Sequence, residues 1–160
     1  SELSESDLED GPYENSEWIT MGGSAGHVYS NERGTYTGDK IVPIYQGLSV
    51  VVPRNKKVYV ILPLPVKQDA KIRYLKIVDM NPVVYENNAP NIISVDAYNG
   101  FHIAAGYYPT WIPGHEKIHY VDLGDYYQFD KGLQIVLRLD NENPDNSPYI
   151  ITGYGARMEW

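Results

Sequence analysis

Two histidines bracket a glutamate in His115-Glu116-Lys117-Ile118-His119, the H-E-x-x-H pattern. On a helix this spacing puts both imidazoles on one face, where they bind zinc while the glutamate activates a metal-bound water. The neighbouring residues oppose a helix. Pro113-Gly114 breaks the chain just before the motif, and His119-Tyr120-Val121-Asp122-Leu123 alternates as a strand does. The extended form of the signature also fails, because Asp122 and Asp125 stand where it requires glycine and a third histidine. Residues four apart on a strand share a face, so the metal reading shrinks to a loose two-histidine zinc site at His115 and His119, with an ordinary exposed strand segment as the expected state. A metal-dependent hydrolase is kept only as a minor alternative.

Gly22-Gly23-Ser24-Ala25-Gly26 matches G-x-S-x-G, the serine elbow that needs a strand before it, a helix after it and a distant histidine and acid. The residues that follow, His27-Val28-Tyr29-Ser30-Asn31-Glu32-Arg33-Gly34, are turn formers rather than a helix, so a flexible glycine-rich loop is expected. Asp140, Glu142 and Asp145 supply hard oxygens of the kind Ca²⁺ takes, without EF-hand spacing, and read as a solvated turn. Gly153-Tyr154-Gly155 lacks the third glycine and the helix of a dinucleotide loop. No catalytic residue is assigned, no cofactor is expected, and an enzyme is the less favoured reading.

The densest candidate for recognition runs from Tyr98 to His119, where Tyr98, Phe101, Tyr107, Tyr108 and Trp111 are separated by glycine and proline in a connection between strands. Loops on a rigid scaffold commonly carry recognition, and sugars stack their C–H faces on aromatic rings while polar groups fix the hydroxyls. Tyr107, Tyr108 and Trp111, beside Asn99 and His115, are therefore the expected ligand-binding platform. The competing expectation is that these rings cap the end of the core.

The elements that must position these residues are strands. From Trp18 onward, β-branched and aromatic runs are punctuated by Gly, Pro, Asn and Asp, and no stretch of ten residues carries a helical apolar stripe. Strands are predicted at 18–21, 40–45, 48–52, 57–62, 73–78, 92–98, 101–104, 118–123, 133–139 and 149–158. Leu48–Val52 and Lys57–Leu62 are expected to form a hairpin across Pro53-Arg54-Asn55-Lys56. In Leu133–Leu139 the odd positions are apolar, while Gln134 and Arg138 fall on the other face. About ten short strands with such turns specify an all-β, antiparallel two-sheet sandwich of jelly-roll type.

Composition bounds the rest. One domain is expected over 18–160. The net charge of −8 is concentrated in residues 1–17, which hold Glu2, Glu5, Asp7, Glu9, Asp10, Glu14 and Glu17 and no Lys or Arg. The remainder carries 13 basic against 14 acidic side chains, so nucleic acid is not expected as a partner. The acidic segment reads as a flexible tail, with Leu3, Leu8 and Tyr13 available if it docks as an arm. The absence of cysteine excludes disulfides and thiol chemistry without fixing a compartment, and no apolar run approaches the roughly 20 residues of a membrane helix. The functional expectation is a non-catalytic binding module for a glycan or a protein. The alternative is a structural or assembly subunit of a shell, capsid or surface, a homo-oligomer with a jelly-roll body.

Overall fold

The computed structural model describes residues 3–29, 41–80, 91–106, 116–141 and 148–160. Among them are eleven strands: β1 (Ser16–Gly22), β2 (His27–Tyr29), β3 (Ile41–Ile44), β4 (Gly47–Val51), β5 (Lys57–Leu64), β6 (Lys71–Met80), β7 (Asn91–Asn99), β8 (Phe101–Ala105), β9 (Glu116–Gln128), β10 (Leu133–Asp140) and β11 (Pro148–Glu159). A six-stranded sheet has the order β3-β4-β11-β6-β9, with β1 also paired to β11. A five-stranded sheet has the order β2-β5-β10-β7-β8, and every pairing is antiparallel. No described helix is long and apolar enough to cross a membrane.

The pairings β4·β11, β5·β10, β6·β9 and β7·β8 nest inside one another in sequence. They are the pairings of one long hairpin, with β7–β8 at its tip, wound so that successive pairs fall in alternate sheets. That winding is the jelly roll. Alternation decides which residues face inward. Val58, Val60, Leu62 and Leu64 of β5 meet Leu133, Ile135, Leu137 and Leu139 of β10 on the inner face, and Leu75, Ile77, Val121, Ile151 and Ala156 answer from the opposite sheet.

The hairpin expected across 53–56 is not formed. The turn exists, with the Lys56 N–H donating to the Pro53 carbonyl at 3.1 Å and Asn55 at φ 62°. It carries the chain from β4 in one sheet to β5 in the other. Alternation tells each strand which face to bury but not which strand to pair with. Asn141 fixes this arch, its Nδ2 donating to the Val52 carbonyl at 2.7 Å and its own carbonyl accepting from the Asn55 N–H at 2.8 Å. β2 forms where turn residues were expected.

Segment 3–15, expected from composition as a flexible tail, makes specific contacts with the sandwich. It lies on the outer face of the six-stranded sheet, anchored by reciprocal backbone bonds between Asn15 and Trp160 at 3.0 and 3.1 Å and by contacts from Glu9 to β6 and β11.

Candidate functional site

The two enzyme-like motifs take shapes set by packing. β9 places Glu116 on the exposed face and His119 on the buried one, because residues three apart on a strand point oppositely. His119 is not the exposed strand residue expected. Its Nε2 bonds Asp79 Oδ1 at 2.8 Å, and the Tyr149 hydroxyl donates to Asp79 Oδ2 at 2.6 Å. All three side chains are buried, on the inner face of adjacent strands β9, β6 and β11. No cluster of three or more His, Asp or Glu suited to a metal occurs among the described residues. His115 lies outside them, as do Glu142 and Asp145 of the proposed Ca²⁺ turn.

Gly23-Ser24-Ala25 forms a single 3-10 turn and is followed by strand β2, not by a helix. A Cβ on Gly23 would collide with the Ile151 carbonyl, and one on Gly26 would stand 2.9 Å from Leu62 Cδ2. The glycines are therefore explained by close approach to β11 and the core, and Ser24 is exposed.

Asn99 ends β7, where both ends of its amide are engaged. Nδ2 donates to Asp130 Oδ1 at 2.7 Å, and Oδ1 accepts the Lys131 N–H at 2.9 Å. The clasp joins the β7–β8 and β9–β10 turns. The Asn99 hydrogen bond, then the Lys131 charge, hold the Asp130 carboxyl below its ordinary pKa. Gly106, bonded through its N–H to the Val95 carbonyl, is the last described residue before the aromatic segment. Asn99 stands four residues along β7 from Val95, roughly 13 Å at strand rise. Tyr107, Tyr108 and Trp111 lie outside the described residues.

The outer face of the five-stranded sheet gathers aromatic, charged and hydrogen-bonding side chains. Register arranges it in rows. Tyr59, Arg138 and Ser94 are aligned across β5, β10 and β7. Ile61, Val136 and Asp96 form the next row, flanked by His27 on β2 and Ala105 on β8. Pro63, Gln134, Tyr98 and His102 form the third. The Arg138 guanidinium lies 5.9 Å from the Tyr59 ring centre. His102 Nε2 bonds Asp96 Oδ1 at 2.9 Å, and its ring meets Tyr98 edge-on with centres 5.2 Å apart. Arg138 Nε and Asp140 Oδ1 on the same strand are buried with no hydrogen bond among the described residues. Strand rise and spacing put the Tyr59 and Tyr98 backbones roughly 16 Å apart.

Tyr98 belonged to the aromatic segment singled out from sequence, whereas Tyr59, Gln134 and Arg138 were not chosen as site residues. Their signal was present. Each is the polar or aromatic phase of a strand whose other phase is aliphatic.

No protein-family model matches the sequence, and no curated protein matches it. Among solved structures the chain is similar to a family 11 carbohydrate-binding module of the cellulosomal cellulase Lic26A-Cel5E of Clostridium thermocellum, with 14% identity, a TM-score of 0.37, and coverage of 99% of this chain and 94% of that one.

Proposed function

We propose that this chain is a non-catalytic β-sandwich binding module that holds an oligosaccharide across the outer face of its five-stranded sheet. One observation carries the reading: two tyrosines at strand-fixed positions, Tyr59 and Tyr98, are separated by a strip of apolar and hydrogen-bonding side chains on β10 and β7. Aromatic rings take the C–H faces of sugars, and Gln134, Ser94, Asp96, His102 and Arg138 supply donors and acceptors for hydroxyls. The span between the tyrosines suits several linked rings rather than one. Tyr107, Tyr108, Trp111 and His115 belong to the same reading, since their segment comes directly after β8 in the sequence. Asn99 then acts by holding the turn at the foot of β7.

Glycan-array screening of the chain, with Tyr98→Ala and Trp111→Ala variants, tests this. An extended oligosaccharide is expected among the bound glycans, with signal reduced at least tenfold by Tyr98→Ala. Absence of glycan binding, or binding indifferent to both substitutions, removes the proposal.

A further inference from the structure

The outer face of the opposite sheet carries a second cluster of charged and aromatic side chains, independent of the glycan reading. A bulge lies where β9 passes β6. The register steps from Tyr74↔Asp122 to Ile72↔Tyr127, leaving Leu123-Gly124-Asp125-Tyr126 without ladder partners on β6. It sets Arg73, Tyr74, Asp122 and Tyr126 together beside Arg157 and Glu159 of β11, an outer surface of two aromatic rings and two arginine–carboxylate pairs. Arg73 is prepared without help from the arm, since Nε and Nη2 hold the two Asp122 oxygens at 2.9 and 3.1 Å. Two guanidiniums lie over the Tyr74 ring, Arg73 at 5.0 Å and Arg157 at 4.9 Å from its centre.

Glu9, Gly11 and Tyr13 of the acidic segment meet this surface. All three polar parts of Glu9 are read: its N–H donates to the Tyr74 hydroxyl at 3.1 Å, its carbonyl accepts from Arg157 Nη2, and its carboxylate meets Arg73 Nη1 at 3.1 Å. Two residues on, Gly11 sits against the Tyr126 hydroxyl and the Glu159 carboxylate, and an added Cβ would collide with the hydroxyl and stand 2.8 Å from Glu159 Oε1. Glu159 is only 2% exposed with the arm in place, and Tyr13 of the arm meets the Tyr126 ring edge-on with centres 5.3 Å apart, so a Cβ on Gly11 forces either the arm or these two side chains to shift. One residue of the arm is thus held by side chains from two strands, and two residues on comes a position where a side chain would crowd Tyr126 and Glu159.

We propose that this face is a recognition groove for an acidic peptide, filled in cis by residues 5–13 and open to the same segment of a second copy of the chain. A tethered arm is present at an effective concentration in the millimolar range, so the groove stays closed to other peptides until the cis arm is weakened.

The test uses a fluorescently labelled peptide of residues 3–15 added to the full chain, read by anisotropy, with amide exchange at residues 5–13 reporting the arm. Gly11→Ala in the chain is expected to raise exchange in the arm and to make the labelled peptide bind saturably, at least tenfold more tightly than to the wild-type chain. Tyr13→Ala should do the same by a route that leaves Glu159 untouched. A peptide carrying its own Gly11→Ala should bind at least tenfold more weakly. The proposal is overturned if neither variant raises exchange in the arm, or if the arm is released and the peptide still fails to bind.

Discussion

Removing one oxygen atom at Tyr149 should cost this fold about 2 kcal/mol. The hydroxyl donates at 2.6 Å to Asp79 Oδ2, and Tyr149 and Asp79 are 1% and 0% exposed, so water does not replace the lost donor. A hydrogen bond to a charged group is worth about 1.5–3 kcal/mol net. Tyr149→Phe keeps the ring, so no cavity is added. Asp79 keeps its bond from His119 at 2.8 Å, which places the expected loss mid-range. For a chain of this length the melting temperature should fall by roughly 4–8 °C. Asp79→Ala leaves both Tyr149 and His119 without that acceptor and should cost more, about 3–5 kcal/mol. Urea denaturation at pH 7, with the m-value unchanged, measures both effects. A Tyr149→Phe loss below about 0.5 kcal/mol would refute the claim that this hydroxyl serves a buried carboxylate.

Gly23→Ala should destabilise by more than about 2 kcal/mol, because its Cβ has nowhere to go against the Ile151 backbone; a neutral change in chemical denaturation would instead mark residues 22–26 as a loose loop. Burial pushes the Tyr154 hydroxyl up to about 12 from 10.0. The unfolded chain therefore releases this proton first. Stability is full below pH 10 and declines as pH rises toward 12, by up to roughly 2–3 kcal/mol. Denaturation midpoints at pH 9 and pH 11.5 should show that decline, and Tyr154→Phe should flatten it. At the acid end, burial raises the Asp122 carboxyl, but the Arg73 hydrogen bond, the Gly124 N–H and the Arg73 charge hold it below its ordinary value overall. Its contribution is present above the ordinary carboxylate range and is lost as pH falls through the lowered value, so amide protection factors in residues 5–13, taken against the intrinsic rate at each pH, should fall at low pH; protection that persists through that range would contradict the role of Arg73 and Asp122 in seating the arm.

Strand phases were legible in the sequence because burial imposes period two. Leu133, Ile135, Leu137 and Leu139 announce both the strand and the face it buries. The partner of each strand was not legible, since β4 and β5 carry the same alternation whether they pair or arch between sheets. Asp79 shares the phase of Leu75 and Ile77 and so was assignable to the core face, yet a carboxylate there is acceptable only once His119 and Tyr149 are known to reach it. The contacts of the arm were not legible for a related reason. Composition reports what a segment contributes to its own folding, and the anchors for Glu9 and Gly11 come from β6, β9 and β11. The candidate face was half legible. Tyr98 stood in the aromatic run, while Tyr59 and Gln134 became its neighbours only through the register of β5, β10 and β7.

The central claim concerns which face binds sugar, and a residue-resolved titration decides it. Isotope-labelled chain is titrated with the extended oligosaccharide that gives the strongest array signal, and amide shifts are followed by NMR. Saturable shifts at Ser94, Asp96, Tyr98, His102, Gln134, Val136 and Arg138, with the six-stranded sheet unmoved, are the predicted result. Shifts confined to the six-stranded sheet, or none on β7 and β10 at saturating glycan, would contradict it.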